Sequence, residues 1–417
     1  MRAPTAMPGR QLRSVGREVA GAPTGGRAGG SASLVATARP HLRQADLVRV
    51  IAAVLVVIIH CAPWPSHATG GAASVYGALS LASRVSLPLF VVLSGMLLAY
   101  THAPGSPSSA FWARRLSRSL LPWVPWAVVY FALTVIFQGM SPVPAQSWGW
   151  WAGGAGHLFF LILIPQLYLL FVIWPKGHRG ALIAAAAAVL IQVGLQLLRV
   201  VLPIHGGAGQ VLLLDYGFEE APFWVGYFAI GILFGLHPEW LQRGGAWRWL
   251  TLPAAAGAFV LLSAGLPSRI AVNWGPWVHG TGSFLRPSLL LVTVLVFCGV
   301  WTIASALADQ LRGWTRRFLA SLSRHSLGIY IIHPIFLLGA GPLLEITPRP
   351  FSLQEGLPWS MLPFGILVVG TTAFGWLGTR LLASRRLTAW SVGEQAGERG
   401  PAGPPQREGR RQQTATT

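Results

Sequence analysis

The sequence predicts an all-α fold, a polytopic transmembrane helix bundle of about ten spans. Three observations predict it. Of 417 residues, 53% are hydrophobic and only 10% charged, whereas soluble domains carry about a quarter charged residues. Mean hydropathy is +0.54. Apolar runs near the length that crosses a bilayer recur between prolines, glycines and arginines. The 19 Trp and 19 Phe suit aromatic belts at lipid interfaces.

Along the chain, residues 1–45 hold seven arginines, one acid and no apolar core of a signal peptide. They are expected to form a disordered basic cytoplasmic tail. Residues 46–383 form one membrane domain, with spans near 47–63, 77–100, 117–137, 157–174, 180–202, 221–237, 249–266, 286–307, 319–341 and 360–383. Residues 384–417, with "GERGPAGPPQREGRRQQTATT", are expected to be a second disordered tail.

Positive charge concentrates in the N-terminal tail and in 111–119, 175–180, 237–248 and 309–317. The loops between them carry few arginines, Arg269 being an exception. By the positive-inside rule, both termini and the basic loops lie in the cytoplasm of a multi-pass plasma-membrane protein. The net charge of +19 follows span ends and tails, not one amphipathic face, which argues against a nucleic-acid partner. Cys61 and Cys298 fall inside apolar runs and read as buried thiols. There is no Walker sequence, no dinucleotide-binding glycine turn and no metal-ligand spacing. No metal and no permanently bound cofactor are therefore expected.

The polar residues inside spans are the candidate site. In the first span, "RQADLVRVIAAVLVVIIHC", His60 follows Arg49 by eleven residues. On a helix they share one face, about 20° apart in rotation and about 16 Å apart along the axis. Asp46, three residues before Arg49, can pair with it. A neutral imidazole at that depth can serve as a general base toward a hydroxyl. The plainer reading makes Arg49 a cytoplasmic anchor and His60 a hydrogen-bonded packing residue.

In the ninth span, "HSLGIYIIHPIF", His333 lies near the depth of His60, with Tyr330 one turn earlier. Pro334 should open the helical ladder and free a carbonyl. In the second span, Ser86, Phe90 and Ser94 recur every four residues. Ser94 can line a cavity there, and Gly95 permits close helix approach. Arg114, Arg115 and Arg118 would cluster at the mouth of the third span. That cluster can grip phosphate oxygens or touch anionic lipid. "GWWAGGAGH" reads as an outer interfacial aromatic loop, and Asp215, Glu219 and Glu220 as a solvated acidic loop.

Taken in order, these segments resemble the acyltransferase-3 family of integral-membrane O-acyltransferases. "ADLVRVIAAVLVVIIH" is similar to its first-span arginine-to-histidine signature. "LPLFVVLSGMLL" resembles its Phe…Ser-Gly element, and "RRLSRSLLPW" its Arg-x-x-Arg stretch. "GHLFFLILIPQLYLLFVIWP" and "HSLGIYIIHPIF" resemble its later signatures. The resemblance implies transfer of an acyl group from cytoplasmic acyl-CoA, often acetyl-CoA, as co-substrate. The acceptor would be a hydroxyl of a glycan, lipid-linked sugar or secondary metabolite. It implies His60 as the catalytic histidine, Arg49 as its motif partner and Arg115 with Arg118 near the CoA phosphates. Ser94 with Gly95 would be the Ser-Gly element. The fourth span, "HLFFLILIPQLY", lacks the glutamate that some members carry, so no role for one transfers. Two alternatives remain open at this point: a transporter or flippase of a polar or lipid-linked solute, and a non-catalytic membrane partner.

Overall fold

The computed structural model describes residues 41–62, 79–102, 109–138, 154–201, 219–242, 245–264, 287–307, 310–346 and 357–394, with a few further connecting residues. The described residues hold eleven α-helices and no strand. They are α1 (Arg43–Cys61), α2 (Ser86–Thr101), α3 (Ser109–Gln138), α4 (Phe160–Val172), α5 (His178–Val201), α6 (Val225–Leu236), α7 (Thr251–Ala264), α8 (Pro287–Leu307), α9 (Gly313–Arg324), α10 (Ser326–Ile346) and α11 (Leu357–Ser384). Short 3₁₀ turns precede α2, α4 and α6.

Each predicted span has a helix at its place. Six are long and apolar enough to cross a membrane, among the described residues: α1, α2 with its preceding turn, α3, α5, α8 and α11. α4, α6 and the first part of α10 are shorter apolar helices. Apolar side chains point outward along the long helices, among them Ile136, Ile183, Leu190 and Val369. In water such a surface would drive association; on an integral membrane protein it faces lipid.

The tightest seam joins α2 to α6. A Cβ on Gly95 would collide with the Phe228 carbonyl oxygen, one on Gly231 with that of Val92, and one on Gly235 with that of Met96. Backbone thus packs on backbone, the arrangement small residues allow between membrane helices. Gly95 is a packing position, the close helix approach that the sequence allowed it.

Two expected element boundaries change. The ninth predicted span, 319–341, is two helices that part at His325. α9 is amphipathic and basic, with Trp314, Arg316 and Arg317 exposed. Its apolar side stacks Phe318 on Trp314, and Phe318 meets Trp376 edge-on. The His325 ring takes the carbonyl of Ser321, 2.7 Å away, closing the end of α9. The described structure also continues past Ser384, where the tail was expected to begin. A 3₁₀ turn at Ala389–Val392 docks on α3, and Trp126 donates its indole N–H to the Ser391 carbonyl at 2.8 Å. Residues 1–40 and 395–417, Asp215 and Arg269 lie outside the described residues.

Glu219 corrects the solvated-loop reading. It precedes the turn at Ala221–Phe223, whose start is held by Gln166: its amide donates to the Glu219 carbonyl, and its oxygen accepts the Ala221 N–H. One carboxylate oxygen of Glu219 is buried, with no hydrogen-bond partner among the described residues. Burial is the main force pushing its carboxyl up to about 7; its own backbone N–H works against this, and Glu220 adds like charge. The folded chain therefore holds a proton there that the unfolded chain releases nearer pH 4.5. Stability falls as pH rises through that window. Glu219→Gln is expected to raise the melting temperature of the detergent-solubilised protein at pH 8. The gain should shrink toward zero near pH 4.5. A gain of the same size at both pH values would show that ionisation is not its source.

Candidate active site

Three imidazoles from three elements meet inside the bundle. His60 comes from the last turn of α1, His157 from the 3₁₀ turn Gly156–Phe159 before α4, and His333 from α10. Ring centroids lie 4.9 Å apart for His60–His333, 5.7 Å for His157–His333 and 6.3 Å for His60–His157. The helix arithmetic that placed His60 and His333 at one depth agrees with this contact. His157 had been assigned to an outer aromatic loop, and this placement corrects that.

Local backbone explains why His157 turns inward. Gly154, Ala155 and Gly156 all have positive φ, at 74°, 63° and 66°. Glycine accepts that conformation freely, while Ala155 adopts it against side-chain repulsion. The bend is fastened by the Gly154 and Ala155 N–H groups donating to the Trp151 and Trp150 carbonyls. The Trp123 indole holds the Gly154 carbonyl at 3.0 Å. "GGAG" in front of a histidine carried this signal, but only the tertiary contacts fix the direction of the turn.

Pro334 acts as the sequence predicts. It has no N–H for the carbonyl of Tyr330, and His333 Nδ1 takes that oxygen at 2.8 Å, with the Ile329 carbonyl at 3.1 Å. The next carbonyl, of Ile331, accepts the Tyr130 hydroxyl at 2.6 Å and faces His157 Nε2 at 3.3 Å. Tyr330 donates its hydroxyl to the His157 carbonyl. Tyr130 also meets the His157 ring edge-on at 4.5 Å. The opened stretch of α10 is therefore a rack that holds two imidazoles by one nitrogen each. Among the described residues no group of three His, Cys, Asp or Glu is disposed to hold a metal ion.

Around this cluster, Phe90 of α2 packs on Phe160, and Phe160 on Tyr330. Ser94 stands one turn from Phe90 on the same face of α2, partly buried. Arg84, in the turn before α2, carries a charge within electrostatic reach of His60. Sequence reasoning overlooked Arg84, having singled out only Ser86, Phe90, Ser94 and Gly95 in the second span.

The predicted arginines lie at the other end of α1. Arg49 donates to Ser323 Oγ at 2.9 Å and is 3.5 Å from Asp46 Oδ1. Ser323 in turn donates to Asp46 Oδ1 at 2.7 Å, and His41 lies 2.8 Å from Asp46 Oδ2. The Asp46–Arg49 pairing expected from spacing is present, with α9 fastened to it through Ser323. About three helical turns separate Arg49 from His60, so Arg49 does not touch the imidazoles.

The Arg114, Arg115 and Arg118 guanidiniums do not form one cluster. Arg115 lies over the rings of Phe111 and Tyr168, at 5.6 and 5.4 Å from their centroids. Tyr168 also lies within the electrostatic reach of Arg49, so cations of α1 and of α3 both act on one tyrosine. Burial, then the charges of Arg115 and Arg114, hold His102 below the ordinary imidazole range. Arg118 turns away. It lines a separate cavity of about 250 Å³ with Arg386, Trp390 and Glu394 of the C-terminal segment. Arg114 is exposed.

Fold and site together define an integral membrane helix bundle with an imidazole cluster inside and, toward the other end of α1, a group of cations and aromatic rings made by Arg49, Arg115, Phe111 and Tyr168. The chain belongs to the acyltransferase domain family, which it matches over residues 42–380. It is a membrane acyltransferase that transfers groups other than amino-acyl groups, and this membership sets the enzyme reading above the transporter and non-catalytic ones. No curated protein and no solved structure matches the chain.

Proposed function

We propose that the protein moves an acetyl group from cytoplasmic acetyl-CoA to a hydroxyl of a glycan, a lipid-linked sugar or a small secondary metabolite. The observation that carries this reading is the placement of His60. It stands in an interior imidazole cluster about three turns above the cationic group where Arg49 and Arg115 both act on Tyr168. Both termini and the basic loops lie on the cytoplasmic side of the plasma membrane in this reading, where CoA is found.

The CoA phosphates meet Arg115 in that cationic group, with Arg49 and Arg114 adding positive field. The pantetheine arm then runs along the Phe90–Ser94 face of α2 toward His60. His60 removes the acceptor proton as the hydroxyl oxygen attacks the thioester carbonyl. Arg84 faces the oxyanion that forms there. The C–S bond breaks, CoA leaves as the thiol after taking a proton, and the ester remains on the acceptor. Tyr330 and His333 wall the cavity in which this happens.

The test is transfer of label from [¹⁴C]acetyl-CoA, with purified protein in lipid nanodiscs. The acceptors offered are methyl hexosides, N-acetylhexosamine glycosides and polyprenyl-linked sugars. Labelled ester on one acceptor class supports the reading. Label lost only to water, or no turnover with any of them, overturns it. The donor half has its own expectation. Arg115→Gln should raise KM for acetyl-CoA by roughly tenfold or more, as one charge-assisted phosphate contact is worth about 1.5–3 kcal/mol. Its kcat should hold within a few-fold, and wild-type KM should rise with salt while the variant responds less. An unchanged KM would place the phosphates elsewhere.

A further inference from the structure

We propose that His333 is the positioning residue for His60: Nε2 of His333 accepts an N–H from the His60 ring and holds it with its bare nitrogen toward the acceptor. This rests on the reading of His60 as the base.

The argument begins at Pro334. Because the Tyr330 carbonyl has no helical donor, His333 Nδ1 fills that place, 2.8 Å away. The proton of the neutral ring therefore sits on Nδ1, and Nε2 is an acceptor with no hydrogen of its own. The residue is 0% exposed, and Nε2 is buried with no hydrogen-bond partner among the described residues. A buried acceptor left unmade is unfavourable, so a donor is called for at that position.

Of the neighbouring rings, only one can supply it. His157 turns its own Nε2 toward the Ile331 carbonyl, so its proton is already committed. The Tyr330 hydroxyl is committed to the His157 carbonyl, and that of Tyr130 to Ile331. His60 is the nearest ring, 4.9 Å between centroids and tilted by 52°. A small turn of its side chain brings an N–H onto His333 Nε2.

The consequence for the reaction is a fixed tautomer. With one N–H given to His333, the other nitrogen of His60 faces the hydroxyl without a proton. It takes that proton as the C–O bond forms and the C–S bond breaks. The imidazolium then keeps one hydrogen on His333 and yields the other to the departing CoA sulfur. His333 itself neither gains nor loses a proton.

Two measurements on the intact protein test this. In ¹⁵N-histidine-labelled protein in lipid bilayers, solid-state NMR should show His60 as one tautomer. Its protonated nitrogen should give a cross-peak to His333 Nε2, and His60→Gln should remove the signals. His333→Leu should turn His60 into a mixture of tautomers. No cross-peak, with the His60 tautomer unchanged in His333→Leu, overturns the proposal whatever the activity assay shows. In acetyl transfer, His333→Leu should lower kcat by roughly a hundredfold with both KM values nearly constant. His333→Gln, whose amide oxygen can still accept, should recover part of the loss. A higher KM for the acceptor at normal kcat would mean that Nε2 binds the acceptor hydroxyl, and the proposal falls. Transfer that survives His60→Gln overturns the base itself, a separate failure.

Discussion

His60→Gln is expected to lower the rate of acetyl transfer at saturating substrate by about 10²–10⁴-fold, the usual contribution of a positioned general base. The amide keeps polarity and nearly the volume of the ring, so the neighbouring His333 and His157 need not repack. It cannot take a proton, and that is the only function removed. KM for acetyl-CoA should stay within a few-fold, because the cationic group lies toward the far end of α1 from His60. Gel filtration and circular dichroism on the same preparation establish that the bundle is intact. A folded variant with wild-type turnover would leave the imidazole cluster without a chemical role.

The second large effect concerns folding. Gly231→Val is expected to destabilise the protein by at least about 3 kcal/mol, at or beyond the top of the usual range for overpacking. Most overpacked sites recover by turning a side chain. Here the added carbon meets the Val92 carbonyl, so α2 and α6 must separate along their length. Gly95→Val, meeting the Phe228 carbonyl from the other helix, should behave alike. The control is Gly257→Ala on α7, where nothing lies within 4 Å of an added carbon. That change should be neutral, or stabilising by about 0.5–1 kcal/mol through helix propensity. Melting temperatures in one detergent compare the three. If Gly231→Val melts with the wild type, α2 and α6 do not pack as described.

The two halves of the site differ in how far sequence reaches them. His60 and Arg49 share a single uninterrupted helix, so rotation and rise per residue place them relative to each other. The Asp46–Arg49 pair is found where the three-residue spacing puts it. The effect of Pro334 is equally local, since a missing N–H frees a specified carbonyl in any helix. His157 and Arg84 escaped because each sits in a turn. The direction of a turn depends on partners remote in sequence, here Trp123 on the Gly154 carbonyl. Arg115 and Arg118 were expected in one cluster. What separates them is that Tyr168 waits on one side and Arg386 on the other.

By itself, then, the amino-acid sequence determines the helical class, the places of the apolar runs, the family and the register of His60 with Arg49 along α1. These are properties of single helices in a low-dielectric medium, where every backbone group must be paired within its own segment. The tertiary structure alone decided which helix Gly95 packs against, that Glu219 is part-buried, that the 319–341 run breaks into two helices, and that three histidines share one space. Each of these depends on which helix lies beside which. Between apolar helices in lipid, that choice is made by the fit of side chains and backbone, which no periodicity along one chain records.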